Sequence, residues 1–213
     1  MSIVYSNVSN EKYTVCCAGQ LVYIYEKSGR ELGRFTLPGA EFAAISPAGD
    51  VFAVKTKSGC VALYSFAPLE QIKILKDEDE ISESEKGMCF SADGQKLYNI
   101  EQSDRGGCVT AYNMNGREKE IICFENAVLG HVEYDGDLFV MGKEDDNFFS
   151  AKLDDDKNAD VKYVSAEDFC FCDKYKRAQV RGFSATAAEK YLPEVRDLSE
   201  VSATVADLWK KGE

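Results

Sequence analysis

The residues of this chain that could do chemistry are eight cysteines, a single histidine and three runs of carboxylates. His131 would have to serve any Ser–His or Cys–His couple. It lies between Gly130 and Val132 in an apolar segment, which points to packing rather than proton transfer. Cys16 and Cys17 are adjacent, so on a strand they face opposite ways and cannot share an ion. Cys170 and Cys172 share a face, but a zinc site would need two further ligands at a recognisable spacing, and none follows. The alternative for that pair is redox chemistry, although no helix start or basic neighbour is placed to activate it. Gly106-Gly107 and Gly116 precede no helix and no Gly-Lys-Ser/Thr, so they read as turns rather than as a phosphate loop.

The carboxylates form the densest charge. Asp77, Glu78, Asp79 and Glu80, followed by Glu83 and Glu85, make one run; Glu144 to Asp146 and Asp154 to Asp156 make two shorter ones. The Gly-punctuated alternation of a helix–loop–helix calcium site is absent from all three. They read as solvated loops, and the first run is the candidate surface for a protein partner, in one version a basic one. A separate reading takes Glu133 and Asp137 as carboxylates in a central channel. No cofactor and no metal are expected.

Short apolar strands must position these groups. Phe42 to Phe66 runs strand, Ser-x-x-Gly turn, strand, Gly turn, strand ending near Tyr64. Gly87 to Met114 repeats this order and ends near Tyr112. Ser6, Ser46 and Ser91 mark first-strand ends at intervals of about 40–45 residues. Independently, Tyr25-Glu-Lys-Ser-Gly-Arg-Glu31 matches Tyr112-Asn-Met-Asn-Gly-Arg-Glu118 two periods on. A repeat of this length with four strands predicts a β-propeller blade. The units run over 2–37, 42–75, 87–124 and 127–165, with a partial fifth over 168–184.

Ser46-Pro-Ala-Gly and Ser91-Ala-Asp-Gly, each followed by an apolar third strand, resemble WD-repeat blades. Tyr64-Ser65 and Tyr112-Asn113 stand where that family has Trp-Asp, and the only tryptophan is Trp209. The resemblance implies scaffolding or recognition without catalysis. Beyond 184, Val195, Leu198, Val201, Val205 and Leu208 recur at helical spacing, so an amphipathic helix over about 193–211 is expected to pack on the propeller.

The expected fold is therefore all-β: a propeller-like set of four-stranded antiparallel blades, about four and a half repeats, with a helical tail over 185–213. Such a count closes as a small ring, stays open under its tail, or pairs its open edge with another chain.

Composition bounds the function. The chain of 213 residues carries a net charge of −12, so nucleic-acid binding is not expected. The N-terminus shows no cationic, apolar leader, and no run reaches the ~18 apolar residues of a membrane span. A cytoplasmic location follows as the expectation, with all eight cysteines reduced. The function expected is a non-enzymatic protein–protein interaction module, an inhibitor or immunity-type protein being one form. The alternatives are a propeller hydrolase or lyase using channel carboxylates, and a structural protomer of a larger ring.

Overall fold

Alternating apolar residues between Gly-bearing turns give strands that bury one side chain in two, and here they assemble into four antiparallel sheets. The computed structural model describes residues 4–77, 87–115, 119–145, 147–153 and 159–164. The first blade is β1 (Val4–Ser9), β2 (Tyr13–Ala18), β3 (Leu21–Glu26) and β4 (Glu31–Thr36). The second is β5 (Ala40–Ile45), β6 (Val51–Thr56), β7 (Val61–Phe66) and β8 (Leu69–Lys76). The third is β9 (Met88–Phe90), β10 (Lys96–Ser103), β11 (Gly106–Asn113) and β12 (Lys119–Glu125). The fourth is β13 (Ala127–Asp135), β14 (Asp137–Glu144), β15 (Asn147–Leu153) and β16 (Ala159–Val164). Each sheet is a simple meander in chain order. Together they form a four-bladed propeller arrangement. The partial fifth unit, Cys170, Cys172 and the C-terminal helix lie outside the described residues.

The Ser-x-x-Gly turns work as the repeat requires. Ser46 Oγ donates to Asp50 Oδ1 at 2.5 Å and accepts from Val51 N at 3.3 Å. Ser91 Oγ donates to Asp93 Oδ1 at 2.6 Å and accepts from Lys96 N at 3.0 Å. Gly49 and Gly94 close these turns at φ of 70° and 71°, a conformation glycine adopts without strain. The first blade departs from the expected register. Ser6 does not end its strand: β1 runs on to Ser9, and Asn10 takes the turn by accepting from the Lys12 and Tyr13 amides through Oδ1. Asn and Ser both satisfy turn amides, so the motif slipped by four residues without losing its function.

Three apolar seams join the four blades. Between the first and second, Val15, Cys17, Val22 and Ile24 meet Ala43, Phe52, Val54 and Tyr64. There Tyr13 stacks on Phe66 at 4.1 Å and Phe35 on Tyr64 at 4.6 Å, offsets that suit aromatic quadrupoles. Between the second and third, Phe42, Ala53, Val61 and Leu63 meet Met88, Phe90, Leu97 and Tyr112. Between the third and fourth, Ile100 and Val109 meet Leu129, Val140, Phe149 and Ala151. Among the described residues no apolar cluster joins the fourth blade to the first.

Covered on both faces, the second blade shows why its strands read as nearly continuous apolar runs: every residue of β7 except Ser65 is buried. The outer strands keep exposed residues such as Ile72 and Ile74 on β8 and Ile121 on β12. The third seam also depends on close backbone approach. A β-carbon on Gly106, at φ +141°, would fall 2.1 Å from the Phe124 carbonyl oxygen, and one on Gly107 would fall 2.5 Å from Leu129 Cγ. This pair was expected in a turn. It instead opens β11, where only hydrogen fits.

One expectation about the cysteines is overturned. Cys108 and Cys123 form a disulfide, so the eight are not all reduced. The physical reason is register: β11 and β12 are neighbours in one hairpin, and pairing Tyr112 with Lys119 brings Cys108 directly opposite Cys123.

Candidate interaction face

A meander fixes where loops emerge. In every blade the first-to-second and third-to-fourth connections leave at one end of the sheet. The second-to-third hairpins and the blade-to-blade connections leave at the other. The ends of adjacent blades coincide, as shown by Lys12 Nζ donating to the Ala48 carbonyl at 3.1 Å between the first turns of the first two blades.

The second end carries acidic loop residues, with the exposed Lys57 and Arg105 among them. Asp77, at the start of the β8–β9 connection, is exposed there. Glu78, Asp79, Glu80, Glu83 and Glu85 lie outside the described residues. Asp104 in the β10–β11 turn and Glu144-Asp145 in the β14–β15 turn emerge at the same end. Among the described residues, Asp77 and Glu144-Asp145 thus share one end. Asp154 to Asp156 lie outside the described residues.

Some carboxylates at and near this end are held by partners. Glu41, buried at 7% exposure, lies 3.5 Å from Lys57 Nζ. Glu101 accepts from Asn99 Nδ2 at 3.0 Å and from the Tyr112 hydroxyl at 2.6 Å, and pairs with Lys76 Nζ at 3.5 Å. The Tyr163 hydroxyl donates to Glu144 Oε2 at 2.6 Å, and that carboxylate raises the tyrosine's pKa. These contacts fix a negative surface in place rather than neutralise all of it.

The candidate catalytic groups are arranged differently. His131 Nε2 lies 3.3 Å from Glu133 Oε2, and both side chains are buried. Asp137 stands at the β13–β14 turn, about half exposed, with Lys152 Nζ at 2.8 Å. Glu133 and Asp137 therefore have separate partners in separate surroundings. Cys17 is a core thiol: burial first, then the neighbouring Cys16 and Glu41, push its pKa up to about 12. Burial raises Cys16 as well, so neither is a thiolate nucleophile near neutral pH. Among the described residues, no group of three or more His, Cys, Asp or Glu is placed to hold a metal ion. No helix among them is long and apolar enough to cross a membrane.

Sequence reasoning missed the polar groups inside the second seam: Lys55, Asn99, Thr110 and the Tyr112–Glu101 bond. Lys55 and Asn99 sit in otherwise apolar strands, FAVKT and LYNI, and that interruption was the available signal.

The fold is that of a WD40-repeat β-propeller. The chain is similar to the structure of U3-55K and to the crystal structure of the RRP9 WD40 repeats. In each case sequence identity is 15% and the TM-score 0.61, over 75% of this chain and 51% of the other. The chain thus spans about half the length of these solved structures. No family model matches its sequence, and no curated protein does.

Proposed function

We propose that this chain is a non-enzymatic interaction module that presents the loops at its acidic end to a basic protein partner. The observation that carries the reading is the gathering of Asp77, Asp104 and Glu144-Asp145 at one end of the blades. Loops on a rigid multi-blade scaffold can display such groups without reorganising the core. A surface of one sign steers an oppositely charged partner and makes association salt-dependent. No nucleic acid is expected as the partner, given the net charge of −12. The free thiols of Cys16 and Cys17 fit a cytoplasmic setting, although the Cys108–Cys123 disulfide weighs the other way.

The test uses a fluorescent lysine-rich peptide as the probe. Binding to the full chain should weaken steeply between low and high salt. It should also fall on replacing Asp77 with Asn and Glu78 and Glu80 with Gln. Binding insensitive to both sinks the charge argument.

The first blade, which among the described residues shares an apolar cluster only with the second, supports a second reading, in which another copy of the chain packs there. Away from the first seam, that blade presents Tyr23 stacked on Tyr25 and Arg34 over the Tyr23 ring at 6.0 Å. Sedimentation over a wide concentration range discriminates the readings: a strict monomer rules the second out.

A further inference from the structure

The third blade holds a cystine whose two sulfurs sit in unlike places. Cys108 on β11 is 4% exposed, and its Sγ lies 3.5 Å from Ser103 Oγ. Cys123, its partner on the outermost strand β12, is exposed. Ile121, two residues away on the same face of β12, is also open to solvent at 48%. Of the two residues of the bond, Cys123 is therefore the one open to a small nucleophile from solution.

The bond joins neighbouring strands of one hairpin. Its two residues are already opposed in a ladder running from Gly106↔Glu125 to Tyr112↔Lys119, and their α-carbons are 4.0 Å apart. The backbone pairing of β11 and β12 extends on both sides of the bond and does not run through it. The same chain keeps a free thiol at half-exposed Cys16. A cystine with one exposed member, in a chain that also keeps free thiols, is open to exchange in a reducing medium.

We propose that Cys123 is a thiol–disulfide exchange site for a low-molecular-weight thiol. The thiolate of the small molecule attacks Cys123 Sγ, a new S–S bond forms to Cys123, and the Cys108–Cys123 bond breaks. Cys108 leaves with the electron pair and takes up a proton beside Ser103. A second small thiolate then attacks the small-molecule sulfur of the mixed disulfide and releases Cys123 as a thiol. Two small thiols are oxidised to one small disulfide while the cystine gains two electrons and two protons. The reverse reaction, with the small disulfide as oxidant, restores the bond. The site lies near the acidic end. Three residues beyond Cys123, the Asn126 amide donates to the Arg105 carbonyl at 2.8 Å, which anchors the connection into β13. Exchange would add or remove a staple beside that connection.

The experiment treats the folded full chain with mixtures of reduced and oxidised glutathione at neutral pH, quenches with acid, alkylates the remaining thiols and maps the peptides by mass. The mixed disulfide is expected on Cys123 in at least about tenfold excess over Cys108, with far-UV dichroism unchanged. Cys108→Ser should still take one adduct at Cys123, whereas Cys123→Ser should leave Cys108 essentially unmodified. Alkylation of both cysteines before any reductant is added, a bond that opens only in denaturant, or an adduct on Cys108 would each overturn the proposal. Because the readout is the adduct itself, it stands or falls apart from the partner reading.

Discussion

Lys55 reaches across the seam between the second and third blades, where its Nζ donates to the carbonyl oxygen of Ile100 at 2.6 Å. The side chain is only 2% exposed, so its stem packs as a hydrocarbon while its tip answers a backbone acceptor. Lys55→Met keeps the stem and removes the donor. It should lower stability by about 1–3 kcal/mol, read as a lower urea midpoint with an unchanged slope. A Met variant at least as stable as the parent would show that burying the ammonium costs more than its bond returns.

Thr110 should behave in the opposite sense. It is fully buried, and among the described residues neither its Oγ1 nor the Oδ1 of Asn99, directly opposite on β10, has a hydrogen-bond partner. Valine has nearly the same shape and no hydroxyl to desolvate. Thr110→Val is expected to stabilise by about 1 kcal/mol, a rise in melting temperature of about 2–4 °C. A fall in melting temperature would reveal a hydrogen bond made through that hydroxyl.

The turn of the second blade carries a pH signature. The Ser46 hydroxyl holds the Asp50 carboxyl below the usual carboxylate range, against a smaller opposing effect of burial. A carboxyl whose folded pKa lies below its unfolded value stabilises fully above the unfolded value. It loses that contribution as pH falls through the folded one. Asp50 is exposed, so screening keeps the effect below about 1 kcal/mol. Ser46→Ala should therefore lower the melting temperature at neutral pH, with the gap to the parent shrinking below about pH 4. A gap that stays constant into acid would mean that the ionised carboxylate plays no part.

The blades were legible because their grammar is local. Ser46-Pro-Ala-Gly, Ser91-Ala-Asp-Gly and the apolar runs between them fix turns and strands within a few residues of chain, and the sheets follow that order. The slip at Ser6 shows the limit. Asn10 performs the serine's task, and a motif defined by residue type overlooks a chemical equivalent. The Cys108–Cys123 bond required strand register, since two cysteines in separate apolar segments look like core residues until the hairpin is aligned. Lys55 against Ile100 joins different blades, and no local pattern encodes such a contact. The candidate acidic face was visible as composition. Its sharing of one end by Asp77 and Glu144-Asp145 came only from counting strand reversals.

Among the described residues the apolar clusters couple each blade to its neighbours in the chain, pairwise, as in a repeat array. Among the described residues the first blade shares one apolar seam and the second two. Opening should therefore spread inward from the first blade, and its amides should exchange with solvent sooner than those of β6 and β7. Such an array need not melt as one unit. It can peel at its first blade while the second, gripped on both faces, still holds its shape.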